Sequence, residues 1–261
     1  MLKFKIEIQD DSITKLGIAA IIDFYQTLSI DSLHLDSVHG FATGVNSMFL
    51  NVVIDVRKNR ISSSPLIQEC YNFFSKHTIP WAWFVVPSSE NNDLQQHNFC
   101  IIEEAPAMYF DLSKSLPDIN QNLNIQALDN RNDLQSWILP VKEGFGADPS
   151  DDSFRLLNVK LLQDNCEKLK HFILYYDNDV VSSGTLFMSN DSVMLHNLAT
   201  KASYTKRGFG SALTIYMMHH AKELGYRHCF LDSSEEGFNL YNNIGFKVYS
   251  TTLIYSEKTN K

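Results

Sequence analysis

One stretch constrains this chain more than any other, the run from Val193 to Leu213. Its apolar-rich start, Val193 to Ala199, reads as a strand. A polar turn follows, and Lys206-Arg207-Gly208-Phe209-Gly210-Ser211 opens a helix. Along that helix Leu213, Tyr216, Met217, His220, Ala221 and Leu224 share one stripe at helical spacing. A strand, a glycine turn and a helix start offer backbone N–H groups to an anion. Gly208 and Gly210 let that backbone approach a ligand with no Cβ in the way, and Lys206 and Arg207 add positive charge. The stretch therefore predicts a phosphate or pyrophosphate site.

A Walker loop needs G-x-x-x-x-G-K-[ST] and a dinucleotide turn needs G-x-G-x-x-G. Gly208-Phe209-Gly210 runs on into Ala212 and Leu213, with neither a third glycine nor a Lys-Ser/Thr pair. Both readings fail. Thr205-Lys206-Arg207-Gly208-Phe209-Gly210 instead resembles the acetyl-CoA signature of the GNAT acetyltransferases, Q/R-x-x-G-x-G/A, with Thr205 in place of the usual Gln or Arg. Downstream, Tyr226 to Asp232 reads as a strand, and Ser233 to Phe246 is similar to the family's closing motif, a helix carrying Leu240-Tyr241 followed by Gly245-Phe246. The Asn often found six residues before that Leu is Ser234 here.

The first half reads as strand, helix, strand, helix, strand: Leu2 to Ile8, a helix capped by Ser12 and running to about Leu28, Phe49 to Val56, a helix from Ser64-Pro65 through Lys76, and Ile79 to Pro87. Ser88 to His97 reads as a short helix, and Phe99–Ile102 with Ala107–Leu112 as a last strand or strand pair. Gly40 and Gly44 fall in a loop without basic residues, so no second phosphate site is expected. Trp81 and Trp83, on one face of a strand, read as core and not as a ligand-stacking pair. Pro80 to Pro87 with Pro106 to Leu112 resembles the N-terminal half of a bacterial GNAT subset, in which a degenerate GNAT-like unit precedes the catalytic one.

Ser113 to Asn122 reads as a linker. Beyond it come a strand (Leu123–Leu128), a helix (Asp133–Val141), the acidic loop Lys142–Asp152, a helix (Phe154–Gln163) and a hairpin of Lys170–Tyr176 with Val180–Met188 across Asp177-Asn178-Asp179. Helix 208–224, strand 226–232, helix 235–244 and the pair Phe246–Tyr249 and Thr252–Tyr255 complete the order. The resemblance implies an α/β (α+β) chain of two GNAT-like mixed-sheet units in tandem. Residues 1–118 form a degenerate domain without cofactor motif, and residues 119–261 a complete catalytic GNAT fold.

Composition narrows the partners. The net charge of −8 disfavours nucleic acid, whose phosphates need clustered Lys and Arg. An acidic surface suits a cationic amine better. Cys70, Cys100, Cys166 and Cys229 have no C-x-x-C spacing and read as free thiols of a reducing compartment. With no signal-peptide pattern and no apolar run of membrane-spanning length, a cytoplasmic protein that contacts no membrane is expected. No histidine pair with a nearby carboxylate has metal-ligand spacing, so no metal is expected.

The resemblance implies an acetyl-CoA-dependent N-acetyltransferase acting on a primary amine of a small molecule or peptide, and is compatible with a homodimer. It places Leu198, Ala199 and Thr200 along the pantetheine arm, Thr205, Lys206, Arg207, Gly208, Phe209, Gly210 and Ser211 at the pyrophosphate, and Ser234 at the cofactor. Tyr241 matches the family's tyrosine beside the thioester sulfur, and plain core packing is its other reading. His196 is a candidate base: period two puts it on the side of Leu198 and Thr200, although a lone histidine in an apolar strand also suits the core. Glu143, Asp148, Asp151 and Asp152 either attract the amine or solvate a connection. The alternative function is a CoA-binding sensor or scaffold that has lost transfer.

Overall fold

The computed structural model describes residues 4–57, 64–87, 92–119, 122–128, 133–164 and 166–258. In chain order the elements are α1 (Asp11–Leu28), β1 (Asp31–Leu35), β2 (Val38–Ala42), β3 (Val52–Asp55), α2 (Ser64–Ser75), β4 (Ala82–Val85), α3 (Asn92–Gln96) and β5 (Phe99–Asp111). Then follow β6 (Asn124–Ala127), α4 (Leu134–Gly144), α5 (Ser153–Gln163), β7 (Leu169–Tyr176), β8 (Asp179–Met188) and β9 (Ser192–Thr200). The series closes with α6 (Phe209–Glu223), β10 (His228–Asp232), α7 (Phe238–Ile244) and β11 (Lys247–Glu257). Leu2 and Lys3 of the expected first strand, Ser88 to Asn91 of the expected short helix, and Asn120 and Gln121 of the expected linker lie outside the described residues.

The chain divides into two units. One holds residues 1–108, 232–235 and 248–261, the other 109–231 and 236–247. Where the sequence reading sets a division at 118/119, this one falls inside β5 and returns β11 to the first unit.

In the first unit the strands run in the order β1-β2-β3-β4-β11-β5. β3 and β4 are parallel, Val52 opposite Ala82, and β11 is antiparallel to β4, Leu253 opposite Val85. Trp83 is fully buried and its indole N–H donates to Asp55 Oδ2 at 3.3 Å, while Trp81 stacks on Phe74 at 4.6 Å. Trp83 belongs to the core, and Trp81, partly buried just before β4, packs against it. Four expectations are corrected. Residues 4–8 form no strand; Glu7 and Ile8 N–H both donate to the Val248 carbonyl. The cap of α1 is Asp10, whose Oδ1 accepts from Ser12 N–H at 2.8 Å, and not Ser12. Gly40 sits in β2 and not in a loop. The expected pair at Phe246–Tyr255 is one long strand, β11, whereas Phe99–Leu112 takes the first of its two readings, a single strand, β5.

In the second unit the order is β10-β9-β8-β7-β6. The β7–β8 hairpin turns through Asp177 (φ 50°) and Asn178 (φ 64°), two left-handed residues whose twist matches the flanking strands. α4 packs on β8 and β9 through a core of Leu134, Trp137, Ile138 and Val141. α6 buries Phe209, Leu213, Met217, Met218 and Ala221, while Leu224, expected on the same stripe, is exposed. Among the described residues no helix is long and apolar enough to cross a membrane, and no group of three His, Cys, Asp or Glu could hold a metal ion.

Candidate active site

β9 supplies the backbone of the site, and it is not a regular strand. Along β8 the register pairs Thr185 with His196 and Ser183 with Ala199, so Asn197 and Leu198 together stand opposite Gly184. Asn197 has φ 54°, the left-handed conformation that Asn tolerates better than most residues. The extra residue is a β-bulge, which bends the strand and reverses its side-chain alternation. Toward β10 the parallel ladder runs through Ser192–His228, Val193–Cys229 and Met194–Phe230, and among the described residues it ends there, before the bulge.

This bulge overturns the expected orientation of His196. Leu198 lies beside the position a Cβ on Gly184 would take, which is also in contact with Met217 of α6. Thr200 Oγ1 lies 3.3 Å from the equivalent point on Gly210, at the start of α6. Ala199 instead meets Gly144, the last residue of α4. His196 pairs directly with Thr185, whose hydroxyl is 2.9 Å from His171 Nδ1, and His171 packs on Trp137 of α4. His196 thus faces α4, while Leu198 and Thr200 face α6. Its Nε2 is shut off from solvent, and burial pushes the imidazole down to about 3. Burial likewise lowers His171 to about 3. Both rings are neutral at physiological pH.

After β9 the chain is fastened in place. Ser182 Oγ donates to the Ala199 carbonyl at 2.7 Å and lies 3.0 Å from Thr200 Oγ1. Lys201 Nζ donates to Asp179 Oδ1 at 2.7 Å. Ala202 N–H donates to Glu143 Oε1 at 2.6 Å, and Thr205 Oγ1 donates to the Ala202 carbonyl at 3.0 Å. Lys206 (φ 60°) and Gly208 (φ 86°) are both left-handed, and Gly208 is the N-cap of α6 with no side chain capping the helix. The first-turn amides of Phe209, Gly210 and Ser211 have no partner within the helix by construction. A Cβ built on Gly208 meets nothing within 4 Å, so open space lies beside the residue that starts the helix. Arg207 reaches away from the backbone into an aromatic cage, 4.6 Å from the Tyr176 ring, 5.3 Å from Tyr204 and 5.1 Å from Phe209.

The four acids of the α4–α5 connection all have local partners. Glu143 holds Ala202, Asp148 accepts from Ser150, Asp151 accepts from Ser153 N–H at 2.8 Å, and Asp152 pairs with Lys142 and Arg155. They fold the connection onto itself and onto the turn after β9. Tyr241 sits on α7, half-buried, its ring edge-on to Phe246 at 5.9 Å. Burial, with Cys229 second, raises its phenol, so the hydroxyl stays protonated. Ser234 belongs to the first unit.

Sequence reasoning missed Asn197, Ser182 and Gly184, and gave Glu143 a place near the amine instead of its hold on Ala202. The available signals were Asn197, a left-handed-tolerant residue inside an apolar run, and Gly184, a glycine inside a strand, both of which can mark a bulge.

The comparisons with known proteins agree with this geometry. Residues 132–246 match the family described as acetyltransferase (GNAT) family. A GCN5-related N-acetyltransferase from Kribbella flavida is similar in structure at a TM-score of 0.72 and 12% identity, covering 95% of this chain and 96% of its own. A conserved protein of unknown function from Staphylococcus epidermidis follows at 0.65 and 14%, covering 88% and 94%. A GCN5-related N-acetyltransferase from Sphaerobacter thermophilus stands at 0.58 and 14%, covering 84% and 76%. At these identities the likenesses speak for the fold. No curated protein matches the chain in sequence. A strand that bulges as it leaves its parallel neighbour, a left-handed glycine turn, an uncapped helix and a matching stretch lead to one conclusion: residues 132–246 form an acetyltransferase domain of the GNAT kind, a fold for acyl transfer.

Proposed function

We propose that the chain transfers the acetyl group of acetyl-CoA to a primary amine of a small molecule or peptide. The observation that carries this reading is the uncapped start of α6, with open space at Gly208. A pyrophosphate accepts hydrogen bonds from the amides of Lys206 to Ser211 there, aided by the positive end of the helix dipole. The backbone of Leu198, Ala199 and Thr200, beyond the last β9–β10 pair, runs along the pantetheine arm, and an N–H of this segment polarises the thioester carbonyl. Thr205 acts locally by closing its turn. The first unit, with no glycine turn of this kind among its described residues, acts as structural support.

The amine nitrogen, already neutral, forms the N–C bond at the carbonyl carbon while the C–S bond breaks. The electron pair leaves on sulfur, and the nitrogen releases its surplus proton to solvent. Tyr241 donates a hydrogen bond to the departing thiolate, and as its proton passes to sulfur the phenol regains one from solvent, so the proton shed by the amine is balanced and the hydroxyl is restored. A phenol held protonated by burial is always available as this donor.

His196 is set outside the proton path by its turn toward α4 and its lowered pKa. His196→Ala is therefore expected to keep the acid limb of the pH–rate profile above pH 5, because an imidazole near 3 does not change charge there. That limb belongs to the acceptor amine. A limb abolished by His196→Ala would restore His196 as the base. Glu143→Ala frees the Ala202 amide and loosens the turn into the phosphate loop. CoA affinity should fall by about 0.5–1.5 kcal/mol, roughly two- to thirteenfold, by calorimetry.

With His196 turned away, Tyr241 is the remaining argument against a chain that has kept CoA binding and lost transfer. Thiol release from acetyl-CoA across a panel of amines separates the two. Release with one class of amine supports the enzyme and names its acceptor, whereas tight CoA binding with no release from any amine supports the sensor.

A further inference from the structure

We infer that the β1–β2 hairpin carries a two-imidazole site for a divalent cation of the copper–nickel kind. His34 on β1 and His39 on β2 are direct cross-strand partners. Their Nδ1 atoms face one another at 3.1 Å. Without a cation, one ring must donate N–H to the lone pair of the other. A cation about 2.0–2.1 Å from both nitrogens would subtend an angle of about 95–100° at this spacing. That is the cis angle of a tetragonal or octahedral ion, which favours Cu²⁺ and Ni²⁺, and their place high in the stability order of divalent ions reinforces the choice. A tetrahedral ion requires the nitrogens to move apart.

The rings are held before any ion arrives. Phe41, fully buried and two residues beyond His39 on the same strand, meets the His34 ring edge-on at 5.9 Å and the His39 ring in a stack at 6.4 Å. The hairpin turn is tight: Leu35 pairs with Val38, and Ser37 is left-handed at φ 59°. β1 is the last strand of its sheet, and His34 is exposed, so the pair opens to solvent. Among the described residues no third His, Cys, Asp or Glu joins the pair, so water fills the remaining positions.

The test uses the untagged full-length chain, titrated with CuCl₂ in a non-coordinating buffer and followed by equilibrium dialysis and electron paramagnetic resonance. One Cu²⁺ per chain with a two-nitrogen spectrum is expected. His34→Ala and His39→Ala should each weaken the tightest site at least about tenfold, as loss of a ligand exceeds the usual effect of losing an outer-shell partner. His77→Ala, at a surface histidine bonded to Asp31 of the same strand, should leave the site intact. An unchanged tightest site in the His34→Ala/His39→Ala double variant overturns the inference, as does equal loss in His77→Ala. Should the variants fold poorly, the wild-type chain decides: Cu²⁺ must shield His34 and His39 from diethyl pyrocarbonate, and equal modification with and without the ion overturns the site.

Discussion

Gly208→Asp is expected to leave the chain folded and reduce CoA affinity by about 10²-fold or more, since the new carboxylate takes the place of an anion on the same amides. Position 208 is the N-cap of α6, where a side-chain oxygen accepts from first-turn N–H groups. The substituted side chain meets no neighbour within 4 Å at its Cβ, so packing is undisturbed. The left-handed φ of 86° costs about 1 kcal/mol for a residue with a Cβ, and the new cap offsets much of it. Fold and binding thus separate in one variant. Gly208→Ala pays the backbone cost without the charge, and should keep most of the affinity. Calorimetry on both reads the difference, and unchanged affinity in Gly208→Asp places the pyrophosphate elsewhere.

Tyr241→Phe is expected to lower kcat by about 10²-fold while the CoA dissociation constant stays nearly constant, because the hydroxyl matters only once charge develops on sulfur. The ring stays against Phe246, so the substitution removes one oxygen and little packing. Because burial raises the phenol, the rate should show no loss of Tyr241 function on the alkaline side up to about pH 10, the ordinary range of a free tyrosine. Steady-state rates with the acceptor found by the amine panel measure the first effect. A Phe variant as fast as the parent returns Tyr241 to the core.

The parts of the fold legible in the sequence were those where one residue type had few alternatives. Gly208 and Gly210 before an amphipathic run could only be a turn into a helix, and Asp177-Asn178 between alternating segments could only be a hairpin. The β1–β2 hairpin escaped notice because its short edge strands, with His34, Asp36 and His39, carry little apolar pattern. β11 read as two strands because Ser250, Thr251 and Thr252 interrupt its apolar run, yet all three are buried. The orientation of His196 was misread for a different reason. Period-two counting holds only along a regular ladder, and one left-handed Asn197 shifts every later residue to the other face. Glu143 reads from sequence as one acid among four; only a contact 59 residues away, to Ala202, gives it a distinct role.

The return of β11 to the first unit has a consequence for biosynthesis. Residues 1–108 leave the ribosome with β4 complete but with its neighbour, Leu253 to Tyr255, still to be translated. Until then the backbone of Trp83, Phe84 and Val85 is an open, apolar edge of the kind that recruits other chains. Residues 109–231 meet no such delay, since β6 to β10 are contiguous in translation. The later-synthesised unit is therefore expected to reach its native pairing first, and the N-terminal one to finish last. Splitting the gene near codon 118 should yield an N-terminal fragment that aggregates unless residues 247–257 are supplied in trans.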